Sequence, residues 1–302
     1  MSRPLFLVAI VGPTASGKSA LALRLAEELG AEILACDSTQ VYRGFDIGTA
    51  KLPPGERGGI PHHMIDIAAP DQTFHAGEFR QRATIVLDEL AGRKKLPILT
   101  VGTGLYLRAL LEGLCDAPAR SEDLRKRLRR RAELSGPGQL HRLLARLDPV
   151  SAGRIAPRDT PKLIRAIEVR LLSGKPLSAL QRAGQQGLQG YRPIKIGLMP
   201  PRPGLYARID RRAQEMLDAG WVEEVRGLVA TGVAEDAKPF GFIGYAELRN
   251  HLRGSVALDE AVLRIRREPG VHWLEGFGDD AAIAQSALAI VTAAMRETVP
   301  AG

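Results

Sequence analysis

Gly12-Pro13-Thr14-Ala15-Ser16-Gly17-Lys18-Ser19 lies between an apolar run, Leu5 to Val11, and a helical pattern beginning at Ala20. That is G-x-x-x-x-G-K-S in the setting a phosphate-binding loop requires, a strand before and a helix after. Glycines let the backbone wrap closely, so that its N–H groups point inward at phosphate oxygens. The following helix adds the positive end of its dipole. Lys18 supplies a point charge, and the Ser19 hydroxyl is placed to hold Mg²⁺. The stretch implies a ligand with a di- or triphosphate and leaves its identity open.

Working outward, Leu21, Leu25 and Leu29 form one helical face, and Gly30 follows as a stop. Glu32-Ile33-Leu34-Ala35 reads as a second strand, and Asp37 comes just past its end. In an open α/β sheet that edge is where ligands bind. Asp37 therefore has two readings, a catalytic carboxylate or a turn cap. His62 and His63 are adjacent, so on a strand they point to opposite faces, which suits structural roles better than a shared metal. From His75 to Ala91 the residues Phe79, Ala83, Leu87 and Leu90 make a helical stripe, and Pro97-Ile98-Leu99-Thr100-Val101 reads as a parallel core strand. This strand ends without the acidic metal ligand of a motor or switch NTPase. A transferase that uses the loop to hold a diphosphate is favoured over a nucleotide hydrolase.

After Cys115 the pattern changes. Arg125-Lys126-Arg127-Leu128-Arg129-Arg130-Arg131 has six basic residues in seven, within leucine-rich, helix-favouring sequence. The run is either a solvated helix face or a contact for phosphate backbone. Pro161 opens another helix, and a Gln/Gly-rich stretch at 184–190 reads as a linker. Ile194–Leu198 reads as a returning strand, followed by a helix with Leu205, Ile209, Ala213 and Leu217 on one stripe, stopped by Gly220. Arg208 and Arg212 sit at i, i+4 on that helix and could reach one anion, or simply face solvent. The expected organisation is an α/β core with a parallel sheet over residues 1–115, a helical insertion over 116–193, and a return to the core over 194–302.

The chain has 302 residues and a formal net charge of +8, an excess that favours a polyanionic partner, nucleic acid first. Its two cysteines, Cys36 and Cys115, form no metal or disulfide spacing, which suits a reducing cytoplasm. No apolar stretch reaches membrane-spanning length, and Leu5–Val11 is too short for a signal-peptide core. No dimerisation surface stands out, so a monomer is the default.

Taken together, Gly12–Ser19, Asp37-Ser38 with Gln40 and Tyr42, Asp46–Lys51, Pro61–Asp66, Gly102–Tyr106 and Gly244-Tyr245 resemble the motifs of the tRNA dimethylallyltransferases, also called tRNA isopentenyltransferases. The ordered set spans roughly residues 5 to 250 and is specific where the phosphate loop alone is not. The resemblance implies a P-loop NTPase-like fold that holds dimethylallyl diphosphate, with Mg²⁺ near Ser19. It implies transfer of the five-carbon group to N6 of the adenosine 3′-adjacent to the anticodon, in the anticodon stem-loop of tRNA. In that family's roles, Gly12, Pro13, Thr14, Ala15, Ser16, Gly17, Lys18 and Ser19 bind the diphosphate. Asp37 accepts the proton of the attacking amine, Thr103 sits beside substrate, and Arg212 helps neutralise the diphosphate. The tRNA-contacting segments are Asp37-Ser38-Thr39-Gln40, Thr103, Arg125, Pro161-Lys162-Leu163-Ile164-Arg165 and Gly241-Phe242-Ile243-Gly244-Tyr245-Ala246.

Two places depart from the family pattern. Ala246 stands where arginine is usual after Gly-Tyr. Downstream, Arg264-Ile265-Arg266-Arg267 runs into Glu268-Pro269-Gly270-Val271-His272-Trp273, where the family has a basic helix before its Trp; Pro269 and Gly270 should break a helix there. That departure bears on tRNA affinity more than on diphosphate binding. Three other readings share parts of the pattern. A small-molecule kinase would need an ATP-gripping lid and a phosphoryl acceptor site. A mononucleotide prenyltransferase would have no use for the basic insertion. An RNA-binding relative without catalysis would have no physical reason to keep Lys18, Asp37 and Thr103 together.

Overall fold

The structure, a computed structural model, describes residues 5–183, 186–266 and 280–296. It divides into two compact units, Met1–Leu110 with Leu188–Gly302, and Leu111–Gly187.

In the first unit, strands β1 (Leu5–Val11), β2 (Glu32–Cys36), β3 (His62–His63), β4 (Pro97–Val101) and β5 (Tyr191–Gly197) form one parallel sheet of order β3-β2-β4-β1-β5. The helices of this unit are α1 (Lys18–Leu29), α2 (Ala76–Gly92) and α3 (Gly104–Leu111) in its first part. The central strands are near-continuous apolar runs because helices cover a parallel sheet on its faces. Val8, Ile10, Ile33, Ile98, Ile194 and Ile196 share a buried cluster with Leu21, Ala22 and Leu25 of α1. Leu7, Ala9, Leu34 and Leu99 alternate onto the opposite face and are fully buried too. Helix α2 starts on a capping box, with the His75 ring accepting from the Glu78 N–H and the Glu78 carboxylate accepting from the His75 N–H. It is tied to β5 by the Tyr191 hydroxyl, which donates to the Leu87 carbonyl at 2.7 Å.

The α/β class expected from the sequence is what the structure has. One strand is placed differently: β5 is Tyr191–Gly197, not Ile194–Leu198, so residues 191–193, assigned to the end of the insertion, pair with Leu5 to Leu7 in the sheet. The reason is that β5 is an edge strand. Its partly exposed Tyr191, Arg192 and Pro193 lack the apolar signal, while the backbone ladder with β1 fixes the register.

His62 and His63 both have protein partners. His62 Nδ1 lies 2.8 Å from the Ile60 carbonyl, and His63 Nε2 lies 2.7 Å from Glu32 Oε2. Arg93 also binds Glu32, and this bond foremost holds the Glu32 carboxyl below its usual range against the opposing effect of burial.

The second unit is helical: α4 (Glu122–Ser135), α5 (Pro137–Leu147), α6 (Pro149–Ala152), α7 (Thr160–Ser173) and α8 (Leu177–Arg182). Leu128, Leu140, Leu144, Leu163, Ile164 and Ile167 form its core. Asp148 is fully buried there, and accepts from the N–H and hydroxyl of both Ser151 and Ser178 at 2.6–3.0 Å. Burial would raise its carboxyl, but those four bonds prevail and bring it to about 2.

After β5 the first unit continues with α9 (Arg202–Asp218), α10 (Trp221–Ala230), α11 (Tyr245–Leu252), α12 (Leu258–Arg266) and α13 (Asp280–Arg296). Ala287 and Val291 of α13 are buried in the cluster under α1. The helix break expected at Pro269 and Gly270 lies outside the described residues.

Candidate active site

The carboxyl ends of β1, β2 and β4 meet where the phosphate loop leaves the sheet. The loop needs left-handed backbone at Ala15 (φ 58°) and at Gly17 (φ 91°), which opens α1. At Gly12 the constraint is space. A Cβ there would lie 2.7 Å from the Leu198 carbonyl oxygen and 2.8 Å from Ser16 Oγ, so only glycine fits. Ser16 is 2% exposed, and among the described residues its hydroxyl has no hydrogen-bond partner. A buried unsatisfied hydroxyl calls for a ligand. Ser19 is exposed at the start of α1.

Lys18 folds its ammonium back over the loop, donating to the Gly12 carbonyl at 2.9 Å and the Pro13 carbonyl at 2.6 Å. Burial lowers it to about 8, Arg212 adds to the fall, and Asp37 opposes it. Arg212 is likewise lowered by burial and supported by Asp37 and Glu215. Lys18, Asp37 and Arg212, separated by up to 194 residues, therefore share one electrostatic site.

The two carboxylate oxygens of Asp37 have different surroundings. Its Oδ1 accepts from the Thr39 N–H at 2.8 Å and the Thr39 hydroxyl at 2.7 Å, which closes the turn. Its Oδ2 lies over Gly102, where a Cβ would come within 2.0 Å of it. The missing side chain at the end of β4 is thus the space that a carboxylate from β2 occupies. Thr103 completes this corner. Its N–H and that of Gly102 donate to the Cys36 carbonyl at 3.0 and 3.1 Å. Its Oγ1 accepts from the Ser38 N–H at 2.9 Å and donates to Ser38 Oγ at 3.1 Å.

The residues beyond this corner are held by long-range partners. Gln40 Nε2 donates to the Thr49 and Ala50 carbonyls at 3.1 and 3.2 Å. The buried Lys51 ammonium bridges Asp46 and Asp66. Glu224 Oε2 accepts from the Asp46 and Ile47 N–H groups at 3.1 and 2.8 Å, while its Oε1 accepts from the Tyr245 hydroxyl at 2.6 Å. The same hydroxyl accepts from the Gly48 N–H at 3.1 Å. Two motifs almost 200 residues apart are one clamp, and Glu224 carries no sequence signal for it.

The expected tRNA-contacting segments differ in how much of them is exposed. Leu163 and Ile164 are 0% and 2% exposed and pack the helical core, and Gly244 and Tyr245 are buried as well, so the exposed part of these segments lies at their neighbours. Ile243 is half exposed, Gly241 is exposed, and Phe242 and Ala246 are partly so. Phe242 leans on Tyr42 with ring centroids 5.8 Å apart. In the helical unit Arg125 is mostly buried against Glu168, while Lys162 is exposed and pairs with its N-cap neighbour Asp159. Pro161 and Lys162 sit in the exposed first turn of α7.

Comparison with known proteins places these features in context. A family profile described as IPP transferase matches residues 40–269, and one described as Isopentenyl transferase matches residues 5–58. A tRNA dimethylallyltransferase of Solibacter usitatus is 48% identical over 93% of this chain and 96% of its own length. One of Koribacter versatilis is 48% identical over 96% and 99%. A crystal structure of a tRNA delta(2)-isopentenylpyrophosphate transferase from Staphylococcus epidermidis superposes with a TM-score of 0.65 at 36% identity, covering 98% of this chain and all of the other. Among the described residues no helix is long and apolar enough to cross a membrane.

Proposed function

The chain belongs to the IPP transferase family, the prenyl transferases of tRNA, and from that premise we propose how its own residues perform the reaction. It transfers a dimethylallyl group to tRNA. The donor is dimethylallyl diphosphate, and the acceptor is N6 of the adenosine 3′-adjacent to the anticodon, in the cytoplasm. The observation that carries this reading is the convergence of Lys18, Asp37 and Arg212 beside a loop built for phosphates.

An adenine amino nitrogen is a poor nucleophile because its lone pair is delocalised into the ring. Attack becomes easier when a carboxylate takes the proton as the bond forms. Asp37 Oδ2 is the oxygen not engaged by the turn, so it takes the N6 proton. The new N–C bond replaces the allylic C–O bond, and the leaving diphosphate keeps the electron pair. Loop N–H groups, Lys18 and Arg212 stabilise the charge that grows there. Ser19 and Ser16 offer hard hydroxyl oxygens of the kind Mg²⁺ takes, and with diphosphate oxygens they would hold it. When bound, Mg²⁺ neutralises part of the leaving-group charge. Ser38 and Thr103 shape the floor beside the base.

Gly102→Ala is expected to fold normally yet lower the transfer rate about 100-fold, because its methyl displaces the Asp37 carboxylate and small misplacements of catalytic groups are that costly. Thermal melting beside single-turnover transfer checks it; an unchanged rate would show that Oδ2 need not sit over Gly102.

The reading itself is tested by transfer of labelled dimethylallyl groups to an anticodon stem-loop, with Mg²⁺. Label should appear with adenosine at the target position and vanish when guanosine replaces it. Saturable binding of ATP with no binding of dimethylallyl diphosphate would replace this reading with a kinase.

A further inference from the structure

We propose that Glu168 is a positioning residue that fixes Arg125 and Arg165, with Arg120 beside them, as a fork for backbone phosphates of the RNA. The proposal rests on the reading that tRNA is the acceptor. Glu168 lies on α7 with its side chain fully buried. It accepts from the Ser121 N–H at 2.9 Å, from Arg165 Nη1 at 2.7 Å and from Arg125 Nη1 at 3.4 Å. Arg165 Nη2 donates in turn to the Pro118 carbonyl at 3.0 Å. One carboxylate thereby joins α7, the start of α4 and the segment 118–121 that leads into it.

Arg120 stands in the same group. Arg120 is exposed as a residue, yet partial desolvation of its guanidinium foremost, then Arg125 and Arg165, hold it below the usual range, while Glu168 and Glu122 oppose that. Glu122 sits at the rim, 3.8 Å from both Arg125 and Arg129 and well exposed. Cations therefore outnumber carboxylates here. Each guanidinium carries five N–H donors in a fixed fork, more than these bonds consume. Arginine forks suit phosphate because two parallel bonds fit its oxygens.

A buried carboxylate is a poor choice for stability alone, since apolar residues fill such a site as well. What Glu168 adds is direction. It pulls the Arg125 and Arg165 planes to fixed orientations, and their remaining donors with them. Phosphate contacts of this kind set the register of a nucleic acid without reading its bases.

The test compares the native protein with Glu168→Gln and Arg120→Gln, using full-length tRNA carrying the target adenosine. Readouts are tRNA affinity across salt concentrations, the single-turnover rate at saturating tRNA, dimethylallyl diphosphate affinity and thermal melting. Glu168→Gln removes a negative charge, so an unorganised basic patch would bind RNA more tightly. Positioning predicts the opposite sign: about tenfold weaker binding, and a salt slope shallower by about 1 for each phosphate that an arginine no longer reaches. The saturated rate and diphosphate affinity stay unchanged. Arg120→Gln, exposed and outside the hydrogen-bonded set, should cut the slope similarly without moving the melting temperature. Tighter RNA binding by Glu168→Gln overturns the proposal. If that variant melts early, an unchanged slope for Arg120→Gln overturns it instead. A native chain that binds diphosphate but no tRNA overturns both this proposal and the acceptor reading, whereas native binding that both variants retain overturns the fork alone.

Discussion

Asp37→Asn slows transfer about 100- to 10,000-fold while dimethylallyl diphosphate still binds. The substitution is chosen because the two oxygens of Asp37 do different things. Oδ1 closes a turn by accepting from the Thr39 N–H and hydroxyl, and an asparagine carbonyl can accept the same two bonds. Oδ2, over Gly102, becomes an amide NH₂ that cannot take a proton. The asparagine variant thus keeps the turn and loses the base. Diphosphate affinity should hold or rise, because a negative charge beside Lys18 and Arg212 has gone. Asp37→Ala also removes the turn cap, at a cost of about 1 kcal/mol, so its melting temperature falls where that of Asp37→Asn does not. Single-turnover transfer and a diphosphate titration on both variants decide the matter. A full rate in Asp37→Asn would reduce Asp37 to a turn cap.

Lys18→Ala loses about 3 kcal/mol of barrier stabilisation, a step slower by roughly 200-fold. It should also weaken diphosphate binding, unlike any change at Asp37. The lysine donates to the Gly12 and Pro13 carbonyls, and its ammonium carries a third donor for a phosphate oxygen. Its lowered pKa gives the reaction a pH signature. Burial brings the free enzyme's ammonium to about 8, so above that pH the charge that meets the diphosphate is lost. Affinity for dimethylallyl diphosphate therefore falls as pH rises through about 8, and is at its plateau below it. Lys18→Arg, charged throughout, should flatten that profile even if it turns over slowly. A native profile that stays flat to high pH would mean that the lysine charge is not what holds the diphosphate.

Stability follows the opposite sense at this residue. The unfolded lysine titrates near 10.5 and the folded one near 8, so the unfolded chain binds more protons between those values. Lys18 thus costs stability below pH 8, and the cost fades as pH rises toward 10.5.

Much of this was legible in the chain. The strand Leu5–Val11 and the strand Pro97–Val101 fall where unbroken apolar runs put them, and Gly30 ends α1 in the left-handed conformation expected of a stop. Phosphate binding by backbone N–H groups needs consecutive residues, so Gly12–Ser19 had to be contiguous and could be read directly. Edge strand β5 was read short because its outer side chains face solvent and carry no apolar signal.

The sequence by itself determined the loop, the alternation of strands and helices, and the candidates Lys18, Asp37, Thr103 and Arg212. Lys18, Asp37 and Arg212 each rest on a local pattern, a run, a period or a fixed spacing, while Thr103 came from the family resemblance. Only the tertiary structure decided the order β3-β2-β4-β1-β5, which brings Asp37 over Gly102 and within the field of Lys18 and Arg212. It alone showed that Leu163, Ile164 and Tyr245 are turned inward, and that Glu224 and Glu168 tie distant segments together. Partners such as Glu224 and the Ile47 N–H are 177 residues apart. No spacing rule links them, because the hydrogen bond depends on where the sheet carries each residue, not on how many residues lie between.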